Sequence, residues 1–444
     1  MIKPVLLWSD ALFFLLLAVA IAGGIWASRV EHLRMAWRKV GGSRIGMASA
    51  TLLLAFITVA LLDSLHYRER LPGPQENYAV EVRSALDALL TGLRTRTEKT
   101  YSAPLATHSF AKETLDSEGR DFPRLKHGGA HLGETLDGFG ADVGERLLQG
   151  LGIGLIVWLG FWILTTPLRR AAPQIAWQAG LLTLLVLCLV AGPVALLAQG
   201  YHVLGTDKVG QDVLYLTLKS IRTGLLIGTL TTLIMLPAAV VLGLMAGYLG
   251  GWVDDVIQYL YTTLNSIPGV LLIAAAVLMM QVVIDTHPHW FATSAERADA
   301  RLLALCAILG ITSWTGLCRL LRAETLKLRE LEYVQAARAL GVSRPRILWR
   351  HILPNVMHIV MIAIVMDFSG LVLAEAVLSY VGIGVDPNTI SFGTMINTAR
   401  MELAREPMVW WSLAAAFVFM FVMVLAANLF ADVVRDAFDP RVSK

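Results

Sequence analysis

The chain has 444 residues, of which 56% are hydrophobic and 16% charged, and its mean hydropathy is +0.62. These values exclude an ordinary soluble protein and identify an integral membrane protein. The formal net charge is only +3, so the overall balance names no nucleic-acid or acidic partner; the information lies in where the charges sit.

A membrane span needs about 20 apolar residues. Nine runs qualify, at about 5–27, 45–63, 149–167, 176–199, 219–247, 256–284, 301–320, 355–381 and 409–432. Arg29, Arg34, Arg38, Lys39 and Arg44 follow the first run, Arg169 and Arg170 follow the third, and Arg435, Arg441 and Lys444 end the chain. Eight more Lys and Arg residues fall within 319–355. Short basic loops stay in the cytoplasm. All four regions share that side only if the N-terminus is outside, and an odd number of spans then leaves the C-terminus inside.

The first run has Lys3 before it and small residues near its end, as a secretory signal does. It exceeds 20 residues, however, carries Asp10 early and is followed by a basic loop, so a retained anchor is expected. Residues 64–148 are too polar to span and too long for a turn. Val82, Leu86, Leu89, Leu90 and Leu93 stand at helical spacing there, which predicts an amphipathic helix. His66, His108, His127 and His131 do not alternate with cysteine, no metal site is expected there, and the segment reads as a small extracytoplasmic cap.

Further along, Gly243, Gly247, Gly250 and Gly251 allow close helix approach or a broken, cavity-lining span. The apolar settings of Cys188, Cys306 and Cys318 predict packed thiols, not disulfides. Trp410 and Trp411 begin the last run as expected interface anchors. Glu375 lies within the eighth run and Asp367 stands eight residues earlier, about 80° around the same helix. A carboxylate inside a span must be neutral, paired or wet. The pair is therefore a pathway or gating candidate, with a buried hydrogen bond to a neighbouring helix as the alternative. No phosphate-binding G-x-x-x-x-G-K-[ST], H-E-x-x-H or G-x-S-x-G pattern occurs, so no enzymatic activity, metal or cofactor is expected on this chain.

The basic 319–355 segment has structure of its own. Helix formers from Glu332 to Leu340 stop at Gly341, a residue suited to a left-handed helix end. Ser343 can cap a second short helix whose early Pro345 is tolerated, because the first amides of a helix have no partner.

Gln335, Ala336, Ala337 and Gly341, followed by Leu353 and Pro354, resemble the EAA loop of binding-protein-dependent ABC importers. In that family this helix docks on the ATPase subunit. The family's leading Glu is Gln335 here, and its Ile position holds His351. The wording of the loop is similar to the dipeptide/oligopeptide/nickel permeases, of the second permease type. The resemblance extends to residues 34–67, to 201–214 and, nearly without interruption, from Gly205 to the end. It includes Ala374, Glu375, Ala376, Ser379, Gly382 and Pro387, and then Asp432, Arg435, Asp439, Pro440 and Arg441. Gln211 replaces a usual Arg, and Tyr259 and Thr262 stand where the family often has an Arg and an Asp.

The resemblance implies an all-α integral membrane protein, a polytopic helical bundle of about nine spans around a type I ABC importer permease core. It divides the chain into an anchor and first family-like span (1–63), the extracytoplasmic segment (64–148), an inserted pair of spans (149–204) and the permease core (205–444). Glu332, Tyr333, Gln335, Ala336, Ala337, Gly341, Leu353 and Pro354 become the ATPase-coupling loop. The implied partners are a second homologous permease, two cytoplasmic ATPase subunits that bind the ATP, an extracytoplasmic substrate-binding protein and membrane lipid, with no nucleic acid. The implied setting is the bacterial inner membrane, and the cargo peptides or similar small solutes. The alternatives from other classes are a proton-coupled secondary transporter using Asp367 or Glu375, and a membrane scaffold or sensor built on residues 64–148.

Overall fold

The computed structural model describes residues 2–70, 78–115, 119–133, 138–291, 293–386 and 389–438. Pro387, Asp439, Pro440, Arg441 and Lys444, singled out above, lie outside them. In chain order the helices begin with α1 (Trp8–Arg29), α2 (Glu31–Gly42), α3 (Arg44–Ser64), α4 (Ala85–Leu89), α5 (Thr91–Thr95), α6 (Phe139–Leu164), α7 (Thr166–Ala171), α8 (Trp177–Leu197) and α9 (Val213–Leu249). They continue with α10 (Gly251–Ser266), α11 (Gly269–Thr286), α12 (Ser294–Ser313), α13 (Thr315–Leu328), α14 (Glu332–Ala339), α15 (Arg344–Ile347), α16 (Leu353–Val381), α17 (Phe392–Arg400) and α18 (Trp411–Phe438). Among the described residues nine helical stretches are long and apolar enough to cross a membrane. Five of them run well past an expected limit, at Phe139–Leu164, Val213–Leu249, Ser294–Leu328, Arg344–Val381 and Trp411–Phe438. The sixth is shorter than expected, because Ile267 and Pro268 interrupt the helix and leave α10 as a separate amphipathic element.

The chain forms two compact units. One comprises Met1–Asp10, Trp26–Leu225 and Pro387–Phe430; the other comprises Ala11–Ile25, Leu226–Asp386 and Ala431–Lys444.

In the first unit, three antiparallel strands join the N-terminus to the segment after α3: β1 (Ile2–Val5) pairs with β2 (His66–Glu69), and β2 with β3 (Arg83–Ser84). A second hairpin pairs β4 (Glu113–Leu115) with β5 (Gly119–Asp121). The expected amphipathic helix is shorter and broken. Arg83 and Ser84 are taken by the sheet, and Ser84 caps α4 in a reciprocal box with Asp87. Leu90 then separates α4 from α5, so that Leu86 and Leu93 are buried and Leu89 is 73% exposed.

Charges fasten this unit. Asp10, fully buried, meets His66 at 2.7 Å and Arg222 at 2.6 Å. Lys219 lies 2.8 Å from Asp87 and 3.3 Å from Asp63, and Tyr215 donates to Asp87. The start of α1, the end of α3, α4 and the start of α9 therefore share one ionic cluster. Removing Asp10 would leave the largely buried Arg222 with the hydroxyls of Ser9 and Ser64 in place of its carboxylate, a loss that costs more than such a pair contributes when intact.

Backbone contact joins the pair of spans that the resemblance does not cover. A Cβ on Gly150 would stand 2.4 Å from Pro193 Cα, on Gly154 2.3 Å from the Cys188 carbonyl, and on Gly192 2.2 Å from the Gly150 carbonyl. Small residues four apart let membrane helices touch in this way. Sequence reading overlooked Gly150 and Gly154, although their spacing was the available signal.

Trp411 corrects another expectation. It is buried at 2% exposure and donates from Nε1 to the Thr206 carbonyl at 2.9 Å, with Phe110 edge-on to its ring at 4.8 Å. It pins the 201–212 segment to the hairpin region, whereas Trp410 stays half exposed, as an anchor would.

The same segment carries a buried triad. His202 Nδ1 meets Asp212 at 2.7 Å and Nε2 meets Glu98 at 3.4 Å, while Glu98 accepts from the amides of Lys126, His127 and Gly128. Both ring nitrogens face carboxylates, so the imidazolium is the form that satisfies them. Burial opposes that charge, but Asp212 and Glu98 outweigh it and raise His202 to about 9. Burial also opposes the Glu98 charge, yet His202 and the three amides draw the carboxyl down to about 2.

The signs give a pH window. His202 holds its proton more tightly when folded, so its contribution is complete below 6.5 and lost as pH rises through about 9. Glu98 holds its proton less tightly when folded, so its contribution is complete above 4.5 and lost as pH falls through about 2. Amide exchange at Lys126 to Gly128, corrected for intrinsic rate, should be slowest between these limits, and His202→Gln should abolish the alkaline loss.

Candidate functional site

The second unit is organised around α14. Along this helix Val334 and Ala337, three residues apart, are buried at 2% and 8% exposure. They sit in one apolar cluster with Leu244 and Ala246 of α9, Leu317, Cys318 and Leu321 of α13, and Val356 and Val360 of α16. Glu332, Tyr333, Gln335, Ala336, Arg338 and Ala339 are exposed. The helix thus has a seated edge and a free face, the pattern of a short amphipathic helix.

Gly341 ends it as its residue type requires. Its φ is +75°, and two backbone bonds close the end, Gly341 N–H to the Arg338 carbonyl and Val342 N–H to the Ala337 carbonyl. This pairing is the glycine-dependent helix stop. Ser343 precedes α15 but its side chain makes no capping bond. The second short helix is not separate, because a π-helical turn at Leu348–Ile352 carries α15 directly into α16. Such turns insert one extra residue without breaking the helix and recur at functional sites. Leu353 is half-buried and Pro354 exposed at the start of α16, and Tyr333 accepts from the Asn355 side chain at 3.1 Å. The structure therefore gathers Tyr333, Ala337, Gly341, Leu353 and Pro354 around one seat, while Gln335 bonds outward to Glu330.

Neighbouring helices hold the seat. Arg322 donates to both carboxylate oxygens of Asp254 at 2.5 and 2.7 Å, and this bidentate pairing keeps Asp254 below the usual carboxylate range. A Cβ on Gly247 would stand 2.6 Å from Thr325 Cβ, and one on Gly243 would stand 2.9 Å from the Cys318 carbonyl, so α9 and α13 touch through these glycines. Tyr259 and Thr262, at the positions of the missing charge pair, are exposed on α10.

The two acids of α16 part company. Glu375 is buried at 1% exposure and accepts from the Ser379 hydroxyl at 2.7 Å. That bond lies one turn along the same helix. Asp367 instead lines a cavity of about 680 Å³, whose apolar wall includes Leu317, Leu320, Ile359, Ile362 and Met366. Glu324, Lys327, His358 and Arg435 complete its polar lining. Among the described residues no group of three or more His, Cys, Asp or Glu is arranged to hold a metal ion, and the three cysteines are free thiols.

A family model described as binding-protein-dependent transport system inner membrane component matches residues 239–444. This chain is 33% identical over 239 residues to the oligopeptide transport system permease protein OppC of Mycobacterium tuberculosis, covering 54% of this chain and 76% of that protein. It is 31% identical over 304 residues to the glutathione transport system permease protein GsiD of Pectobacterium atrosepticum, covering 64% and 91%. It is also 31% identical over 243 residues to the dipeptide transport system permease protein DppC of Lactococcus lactis, covering 55% and 65%.

Burial distinguishes two positions of the α14 motif. Ala337→Asp should place an unpaired carboxylate in the apolar cluster at a cost of several kcal/mol, unseating α14 and exposing residues 329–343 to protease. Gln335→Ala should leave the unfolding free energy within about 0.5 kcal/mol of the parent.

Proposed function

We propose a function from one premise: the chain belongs to the family of binding-protein-dependent transport system inner membrane components. It is a multi-pass, all-α membrane permease of an ABC importer, a component of a transporter and not a catalyst in itself. The finer assignment is ours. The chain pairs with a second homologous permease, two cytoplasmic ATPase subunits dock on the pair and bind the ATP, and a substrate-binding protein delivers cargo from outside. We assign peptides as the cargo, a choice supported by relatives named for oligopeptides, dipeptides and glutathione.

The N-terminus faces outward and the C-terminus the cytoplasm, a reading supported by the basic loops sharing one side. The division is an anchor and first span to residue 63, an outer cap over 64–148, an added pair of spans over 149–204 and the transport core from 205. In this orientation α14 sits at the cytoplasmic surface.

One observation carries the coupling role. The α14 helix is seated by Val334 and Ala337 in the cluster that joins α9, α13 and α16, and it turns Tyr333, Gln335, Ala336 and Leu340 outward. Leu340 is 84% exposed, a large apolar side chain at the corner of a basic loop, within reach of a partner that docks on the outward face of α14. When the ATPases close on ATP, the displacement of α14 passes to the helices in contact with it. Rigid, close-packed side chains transmit such a shift where a loose loop would absorb it. The cavity beside α13 and α16 is the segment of the pathway that this movement opens and closes.

Leu340→Asp tests the docking face without disturbing the seat. It should leave membrane insertion and melting temperature unchanged while lowering cargo-stimulated ATP hydrolysis and uptake at least tenfold. Unchanged stimulation would remove α14 as the coupling contact.

A further inference from the structure

We propose that the cavity beside α13 and α16 is a binding station for a short zwitterionic peptide, with Asp367 receiving its terminal ammonium and Arg435 its terminal carboxylate. The inference rests on the permease reading and adds the chemistry of one site within it.

Asp367 is the starting observation. It stands in the interior of α16, and among the described residues no hydrogen bond or ion pair reaches it, whereas Glu375 on the same helix is bonded to Ser379. An intramembrane carboxylate that has no internal partner and faces a cavity is set up to meet a cation that arrives with the cargo.

The opposite charge lies at the other end of the cavity. Glu324 and Lys327 are in the last turns of α13, His358 is in the second turn of α16, and Arg435 is in the last turns of α18. In the proposed orientation all four belong to the cytoplasmic ends of their helices. Glu324 is already paired with Lys327 at 3.0 Å, and among the described residues nothing pairs with Arg435, so the rim carries a surplus positive charge. Apolar side chains of α13 and α16 separate this rim from Asp367.

Length selects the ligand class. His358 and Asp367 are nine residues apart on α16, roughly 13 Å along the axis at about 1.5 Å per residue. An extended chain covers about 3.3–3.6 Å per residue, so roughly four residues reach from Asp367 to the level of His358, which lines the same cavity as Arg435. A compact metal ion or a single amino acid would leave one end unmet. A peptide of about four residues matches both charged ends and lays its side chains on an apolar wall that favours no particular sequence.

The test uses the full chain in nanodiscs with its co-purifying permease and ATPase partners, without binding protein, and measures equilibrium binding of tetra-alanine, N-acetyl-tetra-alanine and tetra-alanine amide. Asp367→Asn should weaken tetra-alanine about tenfold or more yet leave the already weak N-acetyl form unchanged, so the two losses do not add. Arg435→Gln should weaken tetra-alanine and spare the amide. The inference fails if Asp367→Asn leaves tetra-alanine unchanged, if it weakens the free and acetylated peptides equally, or if the wild type binds none of them because a partner helix fills the cavity. ATP-driven peptide uptake by wild-type proteoliposomes, measured with the substrate-binding protein added, separates the two levels. Uptake that is equal in wild type and Asp367→Asn for every peptide overturns the station alone, whereas no uptake by the wild type overturns the peptide-permease reading beneath it.

Discussion

A charge taken out of water must find a partner, and this constraint accounts for the buried ion pairs of the chain. Asp10 finds His66 and Arg222, Lys219 finds Asp63 and Asp87, Arg322 grips Asp254, and Arg301 is shared between Asp285 and Asp386. In each case the partners come from helices or turns distant in sequence, so the pairs act as fasteners between elements. A salt bridge at a water surface would contribute little. Here the alternative to pairing is a bare charge in an apolar medium, and that penalty gives the arrangement its specificity. Asp367 stands apart from this set because its medium is a cavity.

The same solvent explains the glycines. Lipid does not drive helices together through hydrophobic burial, so association depends on close packing and on contacts that only small residues permit. Gly150, Gly154 and Gly192 bring α6 and α8 into backbone contact, and Gly243 and Gly247 do the same for α9 and α13. The first contact builds the added pair of spans. The second stiffens the helices under α14, so two unrelated parts of the chain rest on one physical device.

What could be read from the sequence followed the range of the interaction involved. Spans were legible because hydrocarbon thickness sets a length that any apolar run either meets or misses. The stop at Gly341 was legible because a left-handed helix end is a local requirement with a local signature. The continuity of α15 into α16 was not, since a π-helical turn leaves the pattern of apolar residues nearly unchanged. Trp411 read as an interface anchor because tryptophans at span ends usually are; only the fold shows that Thr206 and Phe110 enclose it. Asp367 and Glu375 looked alike for the same reason: periodicity places both on a helix, but whether a carboxylate meets a hydroxyl or a cavity depends on how neighbouring side chains pack.

The position of the coupling helix relative to the cavity follows from these constraints. Val334 and Ala337 pack into a cluster that contains Leu317 of α13 and Val356 and Val360 of α16, and the cavity is lined by Leu317 and Leu320 of α13 and by His358, Ile359 and Ile362 of α16. The seat of α14 and the cavity are thus built from the same two helices, with Leu317 in both. A displacement of α14 cannot be absorbed within its own turn, because Gly341 closes the helix with two backbone bonds and Tyr333 is tied to Asn355 at the start of α16. On the proposed function, force applied outside the membrane therefore reaches the cavity wall through one layer of side chains. In that geometry the affinity of the cavity and the state of the ATPases are coupled by packing alone, and the coupling is reciprocal: whatever cavity shape a bound cargo favours must also favour one position of α14.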